Sequence, residues 1–134
     1  ITRIDPPVIG TRVMPENIVH SVEHMMESVA LPGGGGTKAA VRDYRVAVKT
    51  GTAKKIDDSG KYVDKYVAYT AGVAPASDLR FALVVVINDP QNGAYYGGAV
   101  SAPVFSEIMG NVLRLENVKP DGLPAGSDHL IVMR

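Results

Sequence analysis

Apolar residues recur at helical spacing near both ends of the chain and take strand-like patterns between. Residues 1 to 14 read as extended chain, because Pro6-Pro7 and Gly10 oppose a helix. Pro15 is suited to the first position of a helix, and Ile18, Val22, Met25 and Val29 follow at helical spacing, so the pattern predicts an amphipathic helix over residues 15 to 30. Gly33 to Gly36 end it. A phosphate-cradling loop would need the G-x-x-x-x-G-K-[ST] spacing, which is absent, so the tetraglycine reads as a flexible connector.

Three strands are expected next. Tyr44 to Thr52 alternates, with Val46, Val48 and Thr50 on one face and Ala47, Lys49 and Gly51 on the other. Lys54 to Lys65 is polar, contains Asp58-Ser59-Gly60, and reads as a hairpin excursion. Tyr66 to Ala74 forms the second strand. Arg80 to Ile87 forms the third; it is apolar on both faces, the pattern of a strand inside a sheet covered on both sides. Its outer edge then needs a partner, either residues 1 to 9 folding back or a strand from outside the chain, and the second is the expectation.

A loop rich in Asn, Asp and Gly leads to a last helix. Pro103 is placed to open it, Val104, Ile108, Val112 and Leu115 form a candidate apolar stripe, and Pro120 stops it. The tail from Asp121 to Arg134 is mostly polar and is expected to be loose. The fold class is therefore α+β, an antiparallel sheet flanked by helices. Residues 1–122 are expected to form one folded unit and 123–134 a flexible tail.

Composition narrows the function classes. In 134 residues, 14 Lys and Arg balance 14 Asp and Glu, which gives no electrostatic case for nucleic acid or an anionic membrane. Lys54, Lys55, Lys61 and Lys65 cluster on the hairpin and read as a solvated face. The absence of cysteine excludes disulfides and thiolate metal sites. The strongest apolar run, Phe81 to Ile87, is too short to cross a bilayer. The chain opens on Ile1 rather than Met, so a fragment or processed product is expected.

Lys49-Thr50-Gly51-Thr52 closes the first predicted strand. A strand edge can hold an extended peptide by main-chain hydrogen bonds. Lys49 places positive charge beside an anionic terminus and can influence protonation at a nucleophile. Gly51 permits a close backbone approach, and Thr50 and Thr52 offer hydroxyl donors. Strict alternation puts Thr52 opposite Lys49, so the strand must twist, or Thr52 must reach round its edge, for both to touch one ligand. Taken alone, the four residues also fit an edge-strand charge followed by a turn.

A different chemistry is spelled by His20-Ser21-Val22-Glu23-His24, which matches H-x-x-E-H, an inverted zinc-protease pattern. Two imidazoles one turn apart could bind Zn²⁺, with Glu23 as general base and Glu27, Asp57 or Asp89 as a further ligand. At about 100° per residue, however, His20, Glu23 and His24 lie opposite the Ile18, Val22, Met25 and Val29 stripe, on the expected solvent face. The expectation is no metal site.

The Lys-Thr-Gly group keeps company with Leu31-Pro32-Gly33-Gly34-Gly35-Gly36, Tyr69-Thr70-Ala71-Gly72-Val73-Ala74-Pro75, Tyr95-Tyr96-Gly97-Gly98 and Ser101-Ala102-Pro103-Val104-Phe105, in that order. Over residues 5 to 122 this series resembles the division-specific class B penicillin-binding proteins, of the penicillin-binding protein 3 type. Lys-Thr-Gly, Ser-x-x-Lys and Ser-Asp-Asn are motifs of such serine acyl-enzymes.

The resemblance implies a five-stranded sheet with the Lys-Thr-Gly strand at its edge. It also implies periplasmic cross-linking of peptidoglycan stem peptides during septation through a serine acyl-enzyme, with β-lactams acylating the same serine. Implied partners are stem peptides, β-lactams and division-complex proteins including a membrane glycosyltransferase, at the periplasmic face of the inner membrane; no cofactor is implied. Lys49, Thr50, Gly51 and Thr52 match the family's third motif, Thr52 as a carboxylate ligand. Tyr95 and Tyr96 match an aromatic pair on the cleft rim, or else shield the last helix.

The first two motifs are missing. None of Ser21, Ser28, Ser59, Ser77, Ser101, Ser106 and Ser127 has Lys three positions on, and none begins Ser-x-Asn. With no nucleophile beside a base, the chain alone is expected to be inactive. β-lactamases and D,D-carboxypeptidases also carry Lys-Thr-Gly, but the Tyr95 to Phe105 segment favours the transpeptidases. A non-catalytic sheet-edge binding module is the remaining reading.

Overall fold

The computed structural model describes residues 10–123. Helix α1 spans Glu16–Glu27, with Pro15 at its N-cap, and tightens into a 3₁₀ turn at Ser28–Ala30. Leu31 is extended, as expected of a residue before proline. Strands β1 (Ala47–Ile56), β2 (Tyr62–Ala74) and β3 (Phe81–Asn88) form an antiparallel meander in the order β1-β2-β3. A short helix, α2 (Gly97–Val100), precedes α3 (Ala102–Leu115).

The β1–β2 hairpin is longer than the pattern predicts, because the polar stretch pairs instead of looping out. Lys54 lies opposite Tyr66 and Ile56 opposite Tyr62. Its lysines are laced across the sheet: Lys54 bridges Asp64 at 2.8 Å, Lys55 donates to Asn88 at 3.1 Å and Lys65 approaches Asp89 at 3.8 Å. At the tip the Asp57 carboxylate accepts the Ser59 and Lys61 amides at 2.9 and 3.1 Å, a side-chain turn that fixes the reversal.

The core lies between one face of the sheet and α3. Phe105, Met109 and Leu113 are fully buried against Val46, Val48, Ala74, Ala39 and Val118. Each of these three large side chains contributes about 1.5–3 kcal/mol by leaving water. Tyr44 closes one end by donating to the Val118 carbonyl at 2.7 Å.

Several expectations are corrected. The buried stripe of α3 is Phe105, Met109 and Leu113, not Val104, Ile108 and Leu115, which are exposed. Both stripes are apolar, and the sheet takes the one carrying the aromatic ring. In α1 the burial is likewise reversed: Glu23 and Glu27 retain only 17% and 15% exposure, while Ile18, Val22 and Met25 face outward. Arg45 turns that face inward by donating to both Glu27 carboxylate oxygens at 2.8 Å, a fork that fixes orientation as well as distance.

Strand β3 does not lie inside the sheet among the described residues. It is an edge with Val84 and Val86 exposed at 63% and 58%, because helix α3 covers one sheet face only. The tetraglycine is a hydrogen-bonded turn rather than a loose connector: Gly36 N–H donates to Val29 O at 3.0 Å and Gly34 N–H to Leu31 O at 2.9 Å. The chain is also anchored beyond the expected start of the tail. Asp121 accepts the Arg45 and Ser77 amides at 2.7 and 3.0 Å, and Gly122 N–H donates to Asp43 O at 3.0 Å. Residues 1 to 9, the suggested partner of β3, and 124–134 of the expected tail lie outside the described residues.

Candidate active site

The outer edge of β1 carries no strand among the described residues, and an open cleft of about 650 Å³ runs beside it. Lys49, Thr50, Gly51 and Thr52 all line this cleft, with Tyr69, Tyr96 and Gly97 to Ala99 beyond them and Gly35, Thr37 and Lys38 also bordering it. Among the described residues its lining includes Lys38 and Lys49 and no carboxylate, so its field favours an anionic ligand. Among the described residues, no serine lines it.

Alternation along β1 survives, and the cleft reconciles it with a shared ligand. Thr52 is on the α2 side, where its Oγ1 accepts the Gly97 amide at 3.0 Å. Lys49 is on the other face, and its Nζ donates to the Thr50 carbonyl. The cleft follows the strand edge and so receives side chains from both faces.

Two close approaches shape this edge. A Cβ at Gly51 would collide with the ring of Tyr69, its cross-strand partner. A Cβ at Gly97 would stand 2.5 Å from both Gly51 O and Tyr69 O. Glycine at 51 lets an aromatic ring cross the strand, and glycine at 97 lets α2 rest directly on the backbones of β1 and β2.

Tyr95 and Tyr96 part company. Tyr96 is on the cleft rim, whereas Tyr95 stacks behind it on Tyr66, with ring centroids 4.1 Å apart and planes at 15°. Tyr95 Oη donates to Tyr96 Oη at 3.2 Å, and holding that proton pushes the Tyr95 phenol up to about 12. Tyr95 faces a second cavity of about 510 Å³ with Tyr66, Asp64, Lys65 and Asp89.

The histidines of the zinc reading are engaged on their own helix. His20 Nδ1 lies 3.0 Å from Glu23 and His24 Nδ1 3.5 Å from Glu27; the Glu23 contact holds the His20 pKa above its usual range. No group of three side chains able to hold a metal occurs among the described residues.

Tyr69, Gly97, Lys38 and Thr37 were not singled out as site residues from sequence. For Tyr69 a signal existed: a strand glycine often sits across from an aromatic ring that fills its place. Lys38 and Thr37 reach the cleft through the turn after the tetraglycine, a placement that local sequence does not encode.

Comparison with known proteins follows the same lines. The chain is 68% identical over 133 residues to the peptidoglycan D,D-transpeptidase FtsI of Escherichia coli K12, covering 99% of this chain and 23% of that protein. It is 55% identical over 123 residues to FtsI of Buchnera aphidicola subsp. Schizaphis graminum, covering 92% and 22%. The chain thus spans less than a quarter of these relatives. The apo transpeptidase domain of Burkholderia pseudomallei penicillin-binding protein 3 superposes with a TM-score of 0.77 at 40% identity, over 92% of this chain and 37% of that one. The profile of the penicillin binding protein transpeptidase domain matches residues 1–110, and the chain belongs to that family.

Proposed function

We propose that this chain is the Lys-Thr-Gly part of a serine D,D-transpeptidase that cross-links peptidoglycan stem peptides during septal wall synthesis and is acylated by penicillins. The observation that carries this reading is the assembly of Lys49, Thr50, Gly51, Thr52 and Tyr96 around one open, cationic cleft along a strand edge unpaired among the described residues.

In this reading the stem peptide lies extended against β1 and takes main-chain hydrogen bonds from it. Thr52 binds the terminal carboxylate, Lys49 supplies positive charge near the reacting centre, and Gly51 keeps the approach clear. Tyr96 flanks the ligand, with Tyr95 supporting it from behind. The nucleophilic serine and its lysine base would come from outside these 134 residues, since no serine of the sequence has Lys three positions on and none lines the cleft among the described residues. Nucleophile and base are both side chains in this chemistry, so no cofactor is invoked.

The remaining assignments also rest on likeness to FtsI. The protein would work at the periplasmic face of the inner membrane with division-complex partners, including a membrane glycosyltransferase. No helix among the described residues is long and apolar enough to cross a membrane. Residues 1–122 would belong to the transpeptidase domain and 123–134 to a tail.

The test is intact mass after incubation with a penicillin, for this chain and for one extended upstream through a Ser-x-x-Lys motif. An adduct on the extended protein only is expected, formed about 100-fold more slowly after Lys49→Ala. An adduct on one of this chain's own serines would refute the assignment. No adduct on either would leave a sheet-edge binding module as the better reading.

A further inference from the structure

Beneath the cleft floor lie two hydroxyls that acyl transfer as described above does not use. Thr70 on β2 and Ser101, just before α3, are both fully buried, with Oγ1 and Oγ 2.8 Å apart. They are the two buried polar side chains among the described residues. A valine and an alanine would fill the same space without removing hydroxyls from water, so the polar pair requires a reason of its own.

Proton accounting gives the pair a direction. Ser101 Oγ donates to the Gly97 carbonyl at 2.9 Å, and a carbonyl can only accept. Ser101 has then spent its proton, so Thr70 is the donor to Ser101. The same Gly97 donates its N–H to Thr52 Oγ1 at 3.0 Å. One lone pair of Thr52 is thereby occupied from behind, and its hydroxyl proton remains for the cleft.

We propose that Thr70 and Ser101 are positioning residues: their buried hydroxyl pair holds Gly97 so that Thr52 presents its proton to an anionic ligand in the cleft. This rests on the transpeptidase reading for the identity of the ligand, the carboxylate of a stem peptide or β-lactam. A carboxylate accepts only, so a hydroxyl already fixed as donor recognises it without reorganising. Accepting the Gly97 bond also polarises the Thr52 O–H and strengthens its donation. The contact belongs to Gly97, since any Cβ there would strike β1 and β2.

The experiment uses a serine transpeptidase carrying this segment and compares acylation by a penicillin with acylation by its methyl ester, which offers no carboxylate. Thr70→Val and Ser101→Ala are each expected to slow reaction with the acid about 5-fold, the worth of one ordinary hydrogen bond, and to leave the ester nearly unchanged. Thr70→Ser, which keeps the hydroxyl, should restore the acid rate. In a Thr52→Ala background, Ser101→Ala should add no further loss. Equal slowing of acid and ester, or additive losses with Thr52→Ala, would overturn the proposal. A second readout is the Gly97 amide in the present chain, whose hydrogen exchange should accelerate in Thr70→Val and recover in Thr70→Ser. If the unsubstituted enzyme took no penicillin, the transpeptidase reading would fall, and an unchanged Gly97 amide would then reject the relay independently.

Discussion

The ring of Tyr69 occupies the space that a side chain at Gly51, directly opposite it on β1, would need. The Lys-Thr-Gly motif therefore has a partner on the neighbouring strand, and its glycine is required by packing within the sheet.

Gly51→Ala should displace the Tyr69 ring and cost about 1–3 kcal/mol, as overpacking does. Tyr69→Ala made together with Gly51→Ala should recover most of that loss. Urea unfolding of the four proteins in this cycle measures the coupling. Simple additivity would mean that the ring moves aside freely.

The two apolar stripes of α3 predict very different costs. Phe105→Ala should destabilise the chain by about 3–5 kcal/mol, since the ring is fully buried between helix and sheet. Ile108→Ser should cost far less, about 1 kcal/mol or below, because this side chain is already 41% exposed. Comparable losses at the two positions would show that the helix packs on its other face.

Acid should loosen α1 from the sheet. The Arg45 guanidinium hydrogen-bonds the Glu27 carboxylate and holds its pKa below the usual range. A depressed folded-state pKa gives stability that is complete above the unfolded value near 4.5 and is lost as pH falls through the folded value. Arg45 is partly exposed, so the pair is worth about 1 kcal/mol after solvent screening. Glu27→Gln should flatten this part of the stability profile below pH 4.5. An unchanged acid limb in that variant would assign the loss to other carboxylates.

Exposed apolar surface includes the α1 stripe of Ile18, Val22 and Met25, the open face of β3 at Val84 and Val86, and the outer stripe of α3. In the transpeptidase reading, the remainder of the domain is what would meet these surfaces. The same arrangement explains why sequence patterns misjudged them. Period and polarity report that a residue is destined for burial, but not which layer will bury it.

Local sequence was enough to determine much of this protein. The positions of the three strands and two longer helices, the antiparallel α+β class, and the grouping of Lys49 to Thr52 on one strand were all legible, because propensity, periodicity and motif are short-range properties. Gly and Pro punctuation bounded the elements to within a few residues. Tertiary structure alone decided which stripe of α3 meets the sheet, that Glu27 turns inward to Arg45, and that the tetraglycine turn brings Thr37 and Lys38 to the cleft. It alone set the Tyr69 ring over Gly51 and joined Thr52, Gly97, Ser101 and Thr70 by hydrogen bonds. Apart from the local Ser101–Gly97 bond, those partners are distant along the chain, and their contacts depend on which surfaces the packed layers leave available, a property of the whole fold rather than of any segment.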